Sequence, residues 1–184
     1  TAIHYLVAHS DEYSVDKNWV FVGGQSAGSI AALCTAYLSQ KNANNYFENI
    51  ADDLGNFDTG STAEWNYKLR GIISMWGAFI NPEIITSSTA LPTIFFQGAK
   101  DHTVPFNAAH IARCSTSTLL YGTYPLYNRL KELNQTAIAH VDPNGDHGVF
   151  TNDFRVKNIL CFLNDVKHGK KKQEYLLGEK DNCN

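Results

Sequence analysis

Apolar residues gather in four short runs separated by longer amphipathic or polar stretches. The runs are Trp19-Val20-Phe21-Val22, Gly71-Ile72-Ile73-Ser74-Met75-Trp76, Leu91-Pro92-Thr93-Ile94-Phe95-Phe96-Gln97 and Ala137-Ile138-Ala139-His140-Val141. Each is rich in β-branched or aliphatic residues, short, and closed by glycine or an Asp-Pro pair. That pattern predicts buried strands over residues 18–22, 71–76, 92–97 and 136–141. Between the runs the spacing changes. Ile3, Leu6 and Val7 fall at helical intervals, predicting a helix over 2–10. Further helices are expected from Ser26 to about Gln40, near 107–113, over 124–133 and over 153–166. Strands alternating with helices imply an α/β fold, a mostly parallel sheet flanked by helices, with function at the C-terminal ends of the strands. Residues 41–70 are polar without clear periodicity. They are either a pocket-wall insertion acting through Phe57, Trp65 or Tyr67, or a plain surface connection. Trp76 and Phe79 follow a strand end, where they line a pocket or pack the core. Residues 167–184 read as a polar tail, with His168-Gly169-Lys170-Lys171-Lys172 as a solvated segment.

The first strand leads directly into Gly24-Gln25-Ser26-Ala27-Gly28, and a helix-like run, Ile30-Ala31-Ala32-Leu33-Cys34, follows. Strand, G-x-S-x-G turn and helix form the setting in which a serine is lifted clear of a sheet on a strained turn. The reversal calls for glycine on both sides of Ser26. The new helix aims its first N–H groups at the same place, so the Ala27 amide can hold an oxyanion. Two nucleotide-binding patterns compete for these glycines. A phosphate loop needs lysine where Ser29 stands, and a dinucleotide fingerprint from Gly23 needs glycine where Gln25 stands.

A serine hydroxyl needs a histidine to take its proton and a carboxylate to orient that histidine. Downstream, the third strand ends in Gly98-Ala99-Lys100-Asp101-His102-Thr103-Val104-Pro105, which places Asp101 on a strand-end loop. The fourth ends in Asp142-Pro143-Asn144-Gly145-Asp146-His147-Gly148, which places His147 on a loop rich in turn residues. Asp146 adjoins His147 but is poorly set to face it, and Asp142 precedes a proline and starts the turn. His4, His9, His110, His140 and His168 belong to no such motif.

In this order the three motifs resemble the signatures of an α/β-hydrolase esterase or lipase, over a span from the first residues to about Leu163. The resemblance implies a single domain over residues 1–184 with Ser26 as nucleophile, His147 as general base and Asp101 as orienting acid. It also implies Ala27 as an oxyanion donor, with Gln25, Trp76 and His102 lining the substrate site. It implies a small-molecule ester as substrate, with no metal and no cofactor. An amidase or peptidase of the same fold, or a non-catalytic binding module, uses the same scaffold. The family places further strands and a glycine-rich oxyanion loop before the helix at residues 2–10. The chain is therefore expected to be the C-terminal part of a hydrolase domain. The edge at Val20–Val22 would then be covered by a preceding segment or by self-association. The alternative is a minimal hydrolase with a four-stranded sheet.

Composition narrows this little. A net charge of −3 gives no argument for nucleic acid, and no stretch is long and apolar enough to span a membrane. Cys34, Cys114, Cys161 and Cys183 show neither a C-x-x-C pair nor zinc spacing. Cys34 reads as a buried thiol. The tail could fold back to bridge Cys161 or Cys114 to Cys183, which would suit a secreted or periplasmic enzyme.

Overall fold

The computed structural model describes residues 2–57 and 67–183. In chain order, α1 (Ala2–Ala8) and the short α2 (Ser10–Tyr13) precede β1 (Val20–Gln25) and α3 (Ala27–Tyr37). Two short helices, α4 (Gln40–Tyr46) and α5 (Ile50–Leu54), come next, then β2 (Leu69–Met75) and β3 (Thr93–Gly98). A hairpin of β4 (Ala108–His110) and β5 (Leu119–Tyr121) leads to α6 (Thr123–Glu132). The chain closes with β6 (Ala137–Asp142), α7 (Asn152–Lys167) and β7 (Gln173–Leu177).

The main sheet has five strands in the order β1-β2-β3-β6-β7, every neighbouring pair parallel. Its middle strand is buried at every position, as a sheet covered on both faces requires. Side chains alternate between two cores. Phe95 packs with Leu33, Tyr37, Ile72, Phe79, Leu126 and Leu130, on the side of α3 and α6. Ile94 and Phe96 pack with Ile138 and Phe162, on the side of α7.

Three expectations differ from what forms. Residues 107–113 were expected to be helical; instead Ala108 and Ala109 pair antiparallel with Tyr121 and Leu120. Only a single helical turn follows, interrupted by left-handed Ala112 (φ 48°) and Arg113 (φ 58°). The reversal joins β4 to a partner too far along the chain for local propensity to reveal. The α3 helix stops at Tyr37, because Leu38 turns extended and Ser39 caps α4 by accepting the Asn42 N–H at 3.2 Å. The stretch expected as a polar tail contributes β7, whose alternating exposure marks a half-buried strand. Lys170 and Lys172 are not merely solvated: they lie 3.2 and 2.7 Å from Asp165 of α7 and fix the approach to this strand.

Cys161 of α7 is bonded to Cys183, so of the two pairings weighed this one forms. Cys34 is half-buried, and burial pushes its thiol up to about 11. In the insertion, Phe57 is exposed, Tyr67 packs edge-on against His4, and Trp65 lies outside the described residues. Phe79 belongs to the core. Among the described residues no helix is long and apolar enough to cross a membrane.

Candidate active site

Ser26 joins β1 to α3 with φ 52° and ψ −120°, a conformation L-residues seldom adopt. Its N–H donates to the Met75 carbonyl at 3.0 Å, tying the turn to the end of β2. Its own carbonyl takes the N–H groups of Ser29 and Ile30, at 2.9 and 3.1 Å, as the helix begins. The N–H of Ala27 is the first of that helix and has no carbonyl one turn behind it within the helix. A Cβ on Gly24 would lie 2.3 Å from the carbonyl carbon of Gly28, so this glycine is required by the closeness of strand and helix. The same expectation for Gly28 is corrected. A Cβ there would meet nothing within 4 Å, because the chain is already helical and that side is open. The helix is pinned to β2 by the buried Ser29–Ser74 hydroxyl pair, 2.8 Å apart.

Ser26 Oγ lies 2.9 Å from His147 Nε2. On the other side of the ring, His147 Nδ1 lies 3.0 Å from Asp101 Oδ2 and 3.2 Å from Oδ1. An ionised carboxylate can only accept, so Nδ1 carries the proton and Nε2 presents a lone pair to the serine hydroxyl. The Asp101 side chain is wholly buried, while His147 keeps about a quarter of its surface in solvent at 26% exposure. Burying a carboxylate demands partners. Asp101 Oδ1 accepts the backbone N–H groups of Thr103 and Val104, each at 2.9 Å.

A further residue, Gln97, holds this loop and escaped the sequence analysis. Its fully buried amide reaches Asp101 Oδ2 at 3.3 Å and the carbonyls of Val104 and Pro105 at 3.0 and 3.2 Å. Its oxygen accepts the Thr123 N–H at 3.1 Å. An amide in an otherwise apolar strand, after Ile94-Phe95-Phe96, was the available signal: such a group is buried only where it is satisfied.

The loops that carry Asp101 and His147 are fastened together. A Cβ on Gly98 would lie 2.3 Å from the Gly145 carbonyl oxygen, so the loops meet at backbone distance. Lys100 N–H donates to that same oxygen at 3.0 Å. Asp146 does not reach the His147 ring. Its Oδ1 accepts the backbone N–H groups of His102 and His147 at 2.9 and 2.8 Å, and its Oδ2 takes His102 Nδ1 at 2.9 Å. The His102 backbone N–H and then its ring hold the Asp146 carboxyl down to about 2. His102 is thus a brace between the two loops, with 52% of its side chain exposed.

Trp76, expected as a pocket wall, is buried. It sits at φ 40°, its ring centroid 6.2 Å from that of His147, with the Arg155 guanidinium 4.8 Å above it. It backs the histidine more than it faces solvent. Gln25 is exposed at the end of β1, beside Ser26.

No family model and no curated protein matches the sequence. Among solved structures, the fold is similar to an acetyl ester-xyloside bifunctional hydrolase from Caldicellulosiruptor lactoaceticus, at a TM-score of 0.57 and 14% identity. The match covers 93% of this chain and 64% of that one, so this chain spans less than two thirds of its length. At that identity the likeness is one of fold: a mostly parallel sheet flanked by helices, as in a known hydrolase.

Proposed function

We propose that this chain carries the site of a serine hydrolase that cleaves carboxylic esters through an acyl-enzyme. The observation that carries the reading is the unbroken series from Ser26 Oγ through both His147 nitrogens to Asp101. The fold neighbour, described as acting on acetyl esters, supports it at the level of reaction class. Ser26 Oγ attacks the ester carbonyl carbon and its proton passes to His147 Nε2. The carbonyl oxygen becomes an oxyanion beside the Ala27 N–H. The bond to the alcohol oxygen then breaks as Nε2 returns the proton to it, and the acyl group remains on Ser26. Water repeats the sequence: it gives its proton to Nε2, attacks the acyl carbon, and Oγ leaves reprotonated. Asp101 stays ionised and steadies the imidazolium in both halves. The reading is tested with a fluorophosphonate probe and a p-nitrophenyl acetate assay on the purified chain. Covalent labelling at Ser26 is expected, with loss of labelling and of at least about a thousandfold in kcat in Ser26→Ala. Folded protein that neither labels nor turns over would overturn it.

A further inference from the structure

The loops after β3 and β6 carry the same dipeptide, Asp101-His102 in one and Asp146-His147 in the other. The two steps cross. Asp101 Oδ2 takes Nδ1 of His147 at 3.0 Å, and Asp146 Oδ2 takes Nδ1 of His102 at 2.9 Å. The inner pair is continuous with Ser26 through His147 Nε2. The outer pair lies in solvent, its side chains 52% and 59% exposed.

Support for the two inner residues is unequal. Asp101 is held by the backbone N–H groups of Thr103 and Val104 and by the Gln97 amide. His147 has less. Among the described residues its backbone N–H donates to no carbonyl, and it finds Asp146 Oδ1 instead, at 2.8 Å. The next residue, Gly148, sits at φ 82° with nothing within 4 Å of where a Cβ would stand, so the chain leaves His147 through an open turn. Asp146 Oδ1 also accepts the His102 N–H at 2.9 Å, while the His102 ring holds Oδ2. One residue of the Asp101 loop thus orients both oxygens of the carboxylate that grips the His147 backbone. An exposed ion pair adds little to folding stability. A displacement of about 1 Å in a group that must receive a proton costs up to about a hundredfold in rate. A pair so exposed, ending on the backbone of His147, therefore has its effect in the rate and not in the fold.

We propose that His102 and Asp146 are positioning residues that set the aim of the His147 ring at Ser26. The inference rests on the ester-hydrolase reading for its kinetic effect. His102→Ala is expected to lower kcat for p-nitrophenyl acetate about ten- to a hundredfold, with KM and the melting midpoint unchanged. Asp146→Ala should lower it as much and the double variant little further, since either substitution cuts the same series of contacts. The amide nitrogen of an asparagine falls where His102 Nδ1 stands, and that of a glutamine lies one bond further out. His102→Asn should therefore recover most of the rate and His102→Gln should not. Glu83→Gln, which breaks the Arg129–Glu83 pair outside both loops, should turn over as its parent does. Low-field proton NMR follows the His147 Nδ1–H itself: a signal is expected in the parent and in His102→Asn, broadened by exchange with water in His102→Ala. Unchanged kcat in both alanine variants, equal rates for His102→Asn and His102→Gln, or a loss of rate matched by a fall in melting midpoint would each overturn the proposal. A folded parent inert to both fluorophosphonate and p-nitrophenyl acetate would remove the hydrolase reading instead. The Nδ1–H signal then decides the positioning alone: it stands if His102→Ala loses the signal and His102→Asn keeps it, and falls if both keep it.

Discussion

On one face of the sheet, α3 and α6 bury Leu33, Tyr37, Leu126 and Leu130 against Ile72, Phe79 and Phe95, side chains with little or no titratable character. On the other, α7 covers a smaller buried apolar cluster of Ile94, Phe96, Ile138 and Phe162, flanked by half-buried Phe154, Ile159 and Leu163, and buried polar groups lie beside it. His140 is fully buried there, stacked on Phe96 with centroids 4.9 Å apart, its Nε2 3.1 Å from Asn182. Asn158 is fully buried and accepts the Asn182 N–H at 2.8 Å. The Cys161–Cys183 disulfide fastens this C-terminal strap to α7, and Lys157 pairs with Asp181. The first face is held by burial of apolar area, which responds weakly to pH or redox state. The second depends on both. The comparison also bears on the site, because Arg155, which lies over Trp76 behind His147, belongs to α7.

Removing apolar bulk from the first face should have the largest effect. Phe79→Ala is expected to cost about 3–5 kcal/mol, read from urea unfolding, with the pH dependence of stability unchanged. An altered pH profile would mean that the two faces are coupled. Cutting the strap comes next. Cys161→Ser with Cys183→Ser opens a loop with a sequence separation of 22, worth about 3 kcal/mol. The same loss should follow reduction of the native protein and vanish in the double variant.

Acidification should then single out the second face. Burial lowers the His140 pKa from 6.5 to about 4, opposed by Asn182, Asp181 and the Lys180 backbone. The unfolded chain therefore binds this proton first as pH falls. Stability present at neutral pH is lost progressively between about 6.5 and 4, by at most about 3 kcal/mol, with no further loss from this group below that window. His140→Gln should flatten that window, and an unchanged slope would assign the acid lability elsewhere. Smallest is the effect on rate. Arg155→Ala removes the cation from the Trp76 ring and is expected to lower kcat about two- to tenfold with KM unchanged. Arg155→Lys should restore part of the loss, and a change confined to KM would refute a role through His147.

Residues contiguous in sequence made part of this legible beforehand. The Gly24 requirement acts within a few positions, so strand, turn and helix around Ser26 could be read directly. Asp101 and His147 each sit just past an apolar run, and the structure brings His147 to Ser26 and Asp101 to His147; their roles remain the proposal made above. The elements that were misread owe their form to distant partners. Ala108-Ala109-His110 favours helix locally and is made a strand by Leu119–Tyr121. Gln173–Leu177 becomes a strand through its register with β6. Gln97 was overlooked because its partners Val104, Pro105 and Thr123 come together only after the chain folds over it.

The hydrogen bond between Ser26 and His147 joins residues 121 positions apart. A contact of that span cannot precede the crossovers that lay β2, β3 and β6 beside β1, since closing so long a loop gains nothing until the intervening strands are paired. On the proposed mechanism, reactivity of the serine would therefore be a clock for folding: during synthesis Ser26 is made long before His147, and the hydroxyl stays chemically ordinary throughout that interval.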